Sequence, residues 1–384
     1  MEYVKLEEIC TIVSGGTPSR SKPNYWNNGN IPWIKIKDMK SKYIDSAEEF
    51  ITEEGLNNSS TKMLKRDTLL YSIFATLGEV GILKIDACTN QAIAGLSLKE
   101  DSNILKEYLY YYLKSKKKDV NNLGRGVAQN NINLSLLRKF KIPVIPLCQQ
   151  KKIIEVLDNV SSTINNYERE LALLDELVKA RFVEMFGDPV LNEKGWITKP
   201  LIDMGNCKNG MNFHYNENGY EVKCLGVGDF KDLSIINNIE SLQTVSLNEM
   251  PTEEYMLRDN DIVFVRSNGN KALVGRSIVI YPGDVPTTFS GFCIRYRKYD
   301  DSIIVPYLLH VLKTDSFRNK MIGRGANIQN LNQQILANLI IPVPPLELQN
   351  QFASFVEEID KSRFMGENYV LISVILQPFH KLIQ

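Results

Sequence analysis

Residues 124–150, GRGVAQNNINLSLLRKFKIPVIPLCQQ, return 199 positions later as residues 323–349, GRGANIQNLNQQILANLIIPVPPLELQ, without a gap and with 12 of 27 positions identical. Upstream, Tyr108, Leu109, Leu113 and Lys114 align at the same offset with Tyr307, Leu308, Leu312 and Lys313. A period near 200 residues is domain-sized and far too long for a solenoid or propeller blade. The chain therefore reads as two copies of one module. The earlier parts of the copies agree more loosely: Asp38 in IKIKDM sits like Asp229 in LGVGDF, and Arg66-Asp67 resembles Arg258-Asp259.

After the first copy, apolar residues fall at 153, 157, 160, 164, 167, 171, 174, 178, 182 and 185. Alternating steps of four and three predict a coiled-coil seam rather than the broader stripe of a core helix. A helix from about 148 to 186 would be roughly 57 Å long, and Gly187-Asp188-Pro189 should stop it. After the second copy, Phe352, Phe355, Val356 and Ile359 begin a similar helix. From Arg363 onward the charges thin out, β-branched residues cluster in VLISVIL and Pro378 intervenes, so this helix is expected to be shortened or altered at its end.

Each helix is preceded by a mixed α/β pattern. IPWIKI, TLLYSIF, EVGIL and AIAGLSL read as strands in the first copy, with helices over 107–117 and 134–139, the latter capped by Asn133. EVKCLGV, DIVFVRS, RSIVIY and FCIRYR are the strands of the second, with helices over 306–318 and 333–338. The expected organisation is a domain over 1–146, a helix over 147–186, a domain over 187–345 and a helix from 346 to 384.

A chain of 384 residues, 43% hydrophobic, can bury more than one core. Its longest apolar run is too short to span a bilayer and no signal sequence opens it, which predicts a cytoplasmic protein with no membrane partner. Six scattered cysteines and three histidines form no zinc-ligand spacing, so the thiols should be reduced and mostly buried. Lys+Arg and Asp+Glu both number 45, yet residues 1–146 carry 21 against 16. A polyanion would have to be held through local patches or with help from partner subunits.

Three groups of residues suit DNA contact. Strand alternation in IPWIKIKD would put Trp33, Lys35 and Lys37 on one face, an aromatic ring between cations, opposite Ile34 and Ile36. The loop after DIVFVRS carries Arg266, Asn268, Asn270 and Lys271, side-chain types that read guanine and adenine edges. The first copy holds Ala75-Thr76-Leu77-Gly78 there, so the halves could not read alike. The repeated Gly-Arg-Gly places Arg125 and Arg324 in pliable backbone, followed by Gln129 and Asn131 or by Gln329. Each group also has a purely structural explanation: a solvated sheet face, a polar turn, and a turn whose asparagines cap the next helix. Lys116-Lys117-Lys118 reads as an exposed helix end. No phosphate-cradling GxxxxGK[ST], no HExxH and no Asn/Asp-Pro-Pro-aromatic tetrapeptide occurs. Asp203 with Glu221 and Lys223 loosely fits a metal nuclease.

Residues 14–39, SGGTPSRSKPNYWNNGNIPWIKIKDM, the TNQA at 89–92, the repeated IPVxP and the helix ending in EMFGDP together resemble the specificity subunits of type I restriction-modification enzymes, over nearly the whole chain. The resemblance implies two target recognition domains, each reading half of a split double-stranded DNA sequence, separated by two long antiparallel helices. Those helices bind two methyltransferase subunits, and motor-nuclease subunits join for cleavage. It implies no cofactor in this chain; S-adenosylmethionine, ATP and magnesium would belong to the partners. The tail after Arg363 departs from the family in lacking its charged heptads. An antiparallel pair would relate the copies by an approximate twofold axis, as in a dimeric repressor on a palindrome, with the helices measuring the unread gap. Two other classes stay open from the residues alone: a stand-alone metal-dependent nuclease, and a non-DNA scaffold that dimerises through its helices.

Overall fold

The computed structural model describes residues 2–124, 131–212, 219–230, 234–322 and 330–375, with side chains for all of these except 122–124, 271, 322 and 364–375. The chain divides into two compact units, Met1–Glu168 with Glu367–Gln384, and Arg169–Gly366.

The first unit is built on a five-stranded sheet in the order Cys10–Ser14, Ile93–Leu98, Leu69–Ser72, Val80–Leu83, Tyr43–Ile44. The last pairing is parallel and the others antiparallel. A three-stranded sheet places Ile31–Ile34 between Glu49–Ile51, antiparallel, and Cys88–Thr89, parallel. Glu2–Lys5 pairs with Lys141–Val144 at the exit from the unit. The second unit repeats all of this. Its five-stranded sheet runs Gly205–Asn209, Cys293–Lys298, Asp261–Val265, Ser277–Ile280, Ile235–Ile236, again with one parallel edge. Tyr220–Leu225 lies between Gln243–Leu247 and Thr287–Phe289, and Thr198–Pro200 pairs with Ile340–Pro342. Equivalent glycines enter each module: a Cβ on Gly15 would lie 2.1 Å from the Asn90 carbonyl oxygen and one on Gly210 2.1 Å from that of Ser290, so neither position has room for a side chain.

Helices over Lys106–Ser115 and Val305–Lys313 cover one face of the large sheets and supply buried Tyr108, Leu109, Tyr307 and Leu308. The helix expected over 306–318 is two helices. Thr314 is extended, with φ −61° and ψ 145°, and its hydroxyl accepts from Phe317 N to open the next helix, Asp315–Ile322. Short helices Leu134–Arg138 and Gln333–Ala337 start at Asn133 and Asn332, whose side chains accept from Leu136 N and Ile335 N at 2.8 Å each. Structurally, Asp67 matches Asn260, the positive-φ residue before each central strand, at 70° and 69°. The resemblance of Arg66-Asp67 to Arg258-Asp259 is thus one residue out of register.

The central helix, Leu147–Phe186, spans 40 residues. All ten seam positions expected from the heptads are buried or half-buried, while Leu173, Leu177 and Val183, outside the seam, are exposed. Gly187 ends it at φ +74°, donating to the Val183 carbonyl at 2.8 Å, the left-handed cap that glycine adopts without steric cost. The distal helix, Leu346–Ile375, continues 12 residues past Arg363, through the β-branched cluster, instead of ending there. Within the second unit, Phe182 meets Phe352 and Asp175 meets Arg363, so the two helices run antiparallel across this stretch. No helix among the described residues is long and apolar enough to cross a membrane. Cys10, Cys88, Cys224 and Cys293 are buried free thiols, Cys207 is half-buried and Cys148 exposed.

Each long helix is anchored in its first turn by a fully buried glutamine. Gln150 Oε1 accepts from Leu105 N at 2.8 Å, and its Nε2 donates to the carbonyls of Asn103 and Ile145 at 2.7 and 2.9 Å. Gln349 does the same with Ile304 N, Ser302 O and Pro344 O at 2.9, 3.0 and 2.7 Å. Beside them, the Tyr108 and Tyr307 hydroxyls donate to the carbonyls of Pro143 and Pro342.

Gln150→Leu strands one buried N–H and two carbonyls, and should cost roughly 2 to 4 kcal/mol. Urea unfolding checks this through a lower midpoint at unchanged slope; an unchanged midpoint contradicts it. A second prediction concerns His310, packed between Phe182 and Phe352 with ring centroids at 6.3 and 4.9 Å. Burial, with some help from Lys313 and Arg363, pushes it down to about 4, although its contact with the Pro306 carbonyl pulls the other way. The unfolded chain then binds a proton near 6.5 that the folded chain refuses until about 4, so stability falls as pH drops through that window, by roughly 3 kcal/mol in all. Thermal melts of wild type and His310→Gln between pH 7 and 4 should converge as pH falls; parallel curves would contradict this.

Candidate nucleic-acid interface

Trp33 is not on an outer face. The strand ends at Ile34, because Asp38 accepts from Lys35 N at 2.7 Å and closes a 3₁₀ turn over Ile36–Asp38. Alternation therefore stops before it reaches the lysines. Lying in the middle strand of its sheet, Trp33 is 2% exposed, donates Nε1 to the Gly16 carbonyl at 3.0 Å and meets Trp26 edge-on at 5.0 Å. It is a core residue of the small sheet. Asp229 closes the equivalent turn in the second unit by accepting from Gly226 N at 2.8 Å.

Lys35 and Lys37 do reach the surface, where they pair with Glu49 and Glu48. The hydrogen bond to Glu48 raises Lys37 above the ordinary lysine range and Lys37 lowers Glu48 in return. For Glu49, burial works upward but the hydrogen bonds from Lys35 and Arg20 prevail, and the carboxyl is held below its usual range. The Lys37–Glu48 pair is exposed and contributes little to stability, so a phosphate could take over Lys37 at small cost, whereas the Lys35–Glu49 pair is partly buried.

In the second unit, the strand Asp261–Val265 leads through Arg266 to Ser267, Asn268 and Gly269, which line a cleft of about 760 Å³. Gly226, Asp229, Gln243, Asn268, Phe292 and Asn330 are among its lining residues. Arg266 is half-buried, donating N to the Phe292 carbonyl at 2.8 Å and Nη1 to the Gly291 carbonyl at 3.2 Å. Asn268 Oδ1 accepts from Asn270 N at 2.7 Å and Asn270 Oδ1 from Ala272 N at 3.1 Å. Both asparagines therefore use their carbonyl oxygens to shape the loop, which leaves their NH₂ groups as the donors on offer. Bidentate reading of adenine would engage that oxygen as well. The Lys271 side chain lies outside the described residues; its backbone opens a 3₁₀ turn.

Arg125, Gln129, Arg324 and Gln329 lie outside the described residues. The residues that follow those loops are described. Asn131 is exposed and bridges Phe74, and Asn330 is exposed and bridges Ser267, so these two asparagines meet equivalent strand ends. Sequence reasoning did not single out Phe74, Phe292, Gln243 or Asp229 for this surface. Asp229 was visible as the partner of Asp38, but Phe74 looked like the next apolar residue of its strand.

The nuclease constellation is not assembled as a site. Asp203 sits in a turn before the large sheet, whereas Glu221 and Lys223 are on the small one. Lys223 donates to the carbonyls of Glu240 and Leu242 and pairs with Glu240 at 3.3 Å. Among the described residues no group of three or more His, Cys, Asp or Glu could hold a metal ion.

Two modules of one topology, each running into a long helix, make this a duplicated protein. The family model of the type I restriction modification DNA specificity domain matches residues 1–175 and 193–369, and the chain belongs to that family. The specificity subunit of the Escherichia coli enzyme EcoR124I/EcoR124II is 33% identical over 188 residues, 47% of this chain but only 46% of that protein. The MjaIX specificity subunit of Methanocaldococcus jannaschii is 25% identical over 395 residues, 96% of this chain and 88% of that one. Among solved structures, the S subunit of a type I restriction-modification system from M. genitalium has the same fold, with a TM-score of 0.54 at 16% identity over 98% of this chain and 93% of that one.

Proposed function

We propose that each unit reads one half of a bipartite, asymmetric site in double-stranded DNA from the major groove, and that the long helices set the gap between the half-sites. The observation that carries this reading is the contrast inside the duplication. Topology and helix anchor repeat, while the loop of Arg266, Asn268 and Asn270 has Ile73, Ala75 and Leu77 at the equivalent positions. Like frames with unlike loops suit two different half-sequences. Lys35, Lys37 and Lys271 would meet phosphates, which position the protein without specifying sequence. Arg266 and the asparagine amides would face base edges. Arg125, Gln129, Asn131, Arg324 and Gln329 would contact the duplex from the repeated loops.

The exposed Leu173, Leu177 and Val183 on the central helix are apolar surface suited to a protein partner, and two methyltransferase subunits would dock along the helices. S-adenosylmethionine would enter with them, ATP and magnesium with motor-nuclease subunits, and the assembly would act in the cytoplasm. This chain would perform no bond chemistry of its own.

Exchanging residues 187–345 for those of a relative should change one half of the methylated sequence and leave the other half intact. Sequencing that detects methylated adenine reads the outcome directly. A change in both halves would sink the modular reading.

A further inference from the structure

Each unit exposes a phenylalanine beside the end of its central strand, but supplies it from a different strand. In the first, Ile73 N donates to the Ala92 carbonyl at 2.8 Å; the next residue, Phe74, is 48% exposed, and Ala92 is buried. In the second, Arg266 takes the place of Ile73 and its N–H donates to the Phe292 carbonyl at the same distance. There the next residue is Ser267, and Phe292 is 61% exposed. The bridges from Phe74 to Asn131 and from Ser267 to Asn330 fix the equivalence. A large ring at one of the two neighbouring positions is thus matched by a small residue at the other, in opposite senses in the two copies.

A single exposed phenylalanine needs no explanation, but one beside the same strand end in both copies, at alternate positions, does. Both rings are held on ordered backbone. Phe74 is followed by Ala75 at φ +63° with Thr76 N bonded back to the Phe74 carbonyl, and Phe292 N donates to Ser290 Oγ in a turn gripped by Arg266. Rings placed in advance lose little freedom on binding. Around Phe292 the cleft is lined by amide side chains, Gln243, Asn268 and Asn330, of the kind that meet base edges in the major groove. A phenyl ring can form no hydrogen bond there, and the one apolar group a base edge offers in that groove is the 5-methyl of thymine.

We infer that Phe74 and Phe292 are specificity-determining residues, each packing against a thymine methyl in its own half-site. The inference rests on the half-site reading proposed above and adds to it which side chains discriminate and which base they select. A wedge inserted between base steps is the other use of such rings, but it belongs to minor-groove binders that unstack and kink the duplex.

The test uses the full chain assembled with its methyltransferase subunits and a duplex carrying the methylated sequence mapped in cells. Phe292→Ala should weaken binding to that duplex roughly tenfold, with nonspecific binding and melting temperature unchanged. Replacing thymine by uracil in the second half-site should weaken the wild type to the same degree and the variant no further. Phe74→Ala should answer in the same way to uracil in the first half-site. Equal wild-type affinity for thymine and uracil duplexes, half-sites without thymine, or a rise in 2-aminopurine fluorescence that reports unstacking would each overturn the assignment while leaving the half-site reading standing. A wild-type complex that fails to prefer the mapped duplex over a scrambled one would overturn both.

Discussion

The rest of the structure depends on a buried amide at the root of each long helix. A glutamine side chain offers one acceptor and two donors, and Gln150 and Gln349 each place all three on backbone groups that would otherwise be buried without partners. One of those groups opens the helix that covers the large sheet, another belongs to the strand exit, and the glutamine itself sits in the first turn of the long helix. Sheet, covering helix and long helix are thereby tied at a single point. Tyr108 and Tyr307 reinforce it by satisfying the carbonyls of Pro143 and Pro342, in strands whose prolines have no N–H to contribute.

This explains which parts of the duplication persisted. A helix that must leave its domain in a fixed direction tolerates little change at the anchor, because any loss there exposes several polar groups at once. The loops after the central strands carry no such burden. Asn268 and Asn270 fold their own loop, the exposed phenylalanine comes from a different strand in each copy, and the large sheet keeps its strand order.

The strongest elements were legible in the sequence for physical reasons. The heptads of the central helix appear as burial along its whole length, and Asn133 caps its helix as its side-chain chemistry requires. What was not legible depends on distant partners. Glu2–Lys5 finds its strand mate at Lys141–Val144, far along the chain, and nothing local announces the pairing. Alternation misplaced Trp33 because Asp38 ends the strand early and because a middle strand buries both faces. The distal helix runs on through VLISVIL, where β-branched residues are poor helix formers by a margin too small to decide the matter. Side-chain roles in the reading loops were the least legible, since a polar turn and a base-reading surface use the same residue types.

The central claim is that one chain carries two unlike readers on a common frame. Methylation-aware sequencing of DNA from cells that contain this protein with its partner subunits tests it most directly. The account predicts a single motif made of two different half-sequences, separated by a gap of constant length whose bases do not matter. One uninterrupted motif, a repeated identical half-site, or a gap that varies from site to site would contradict it.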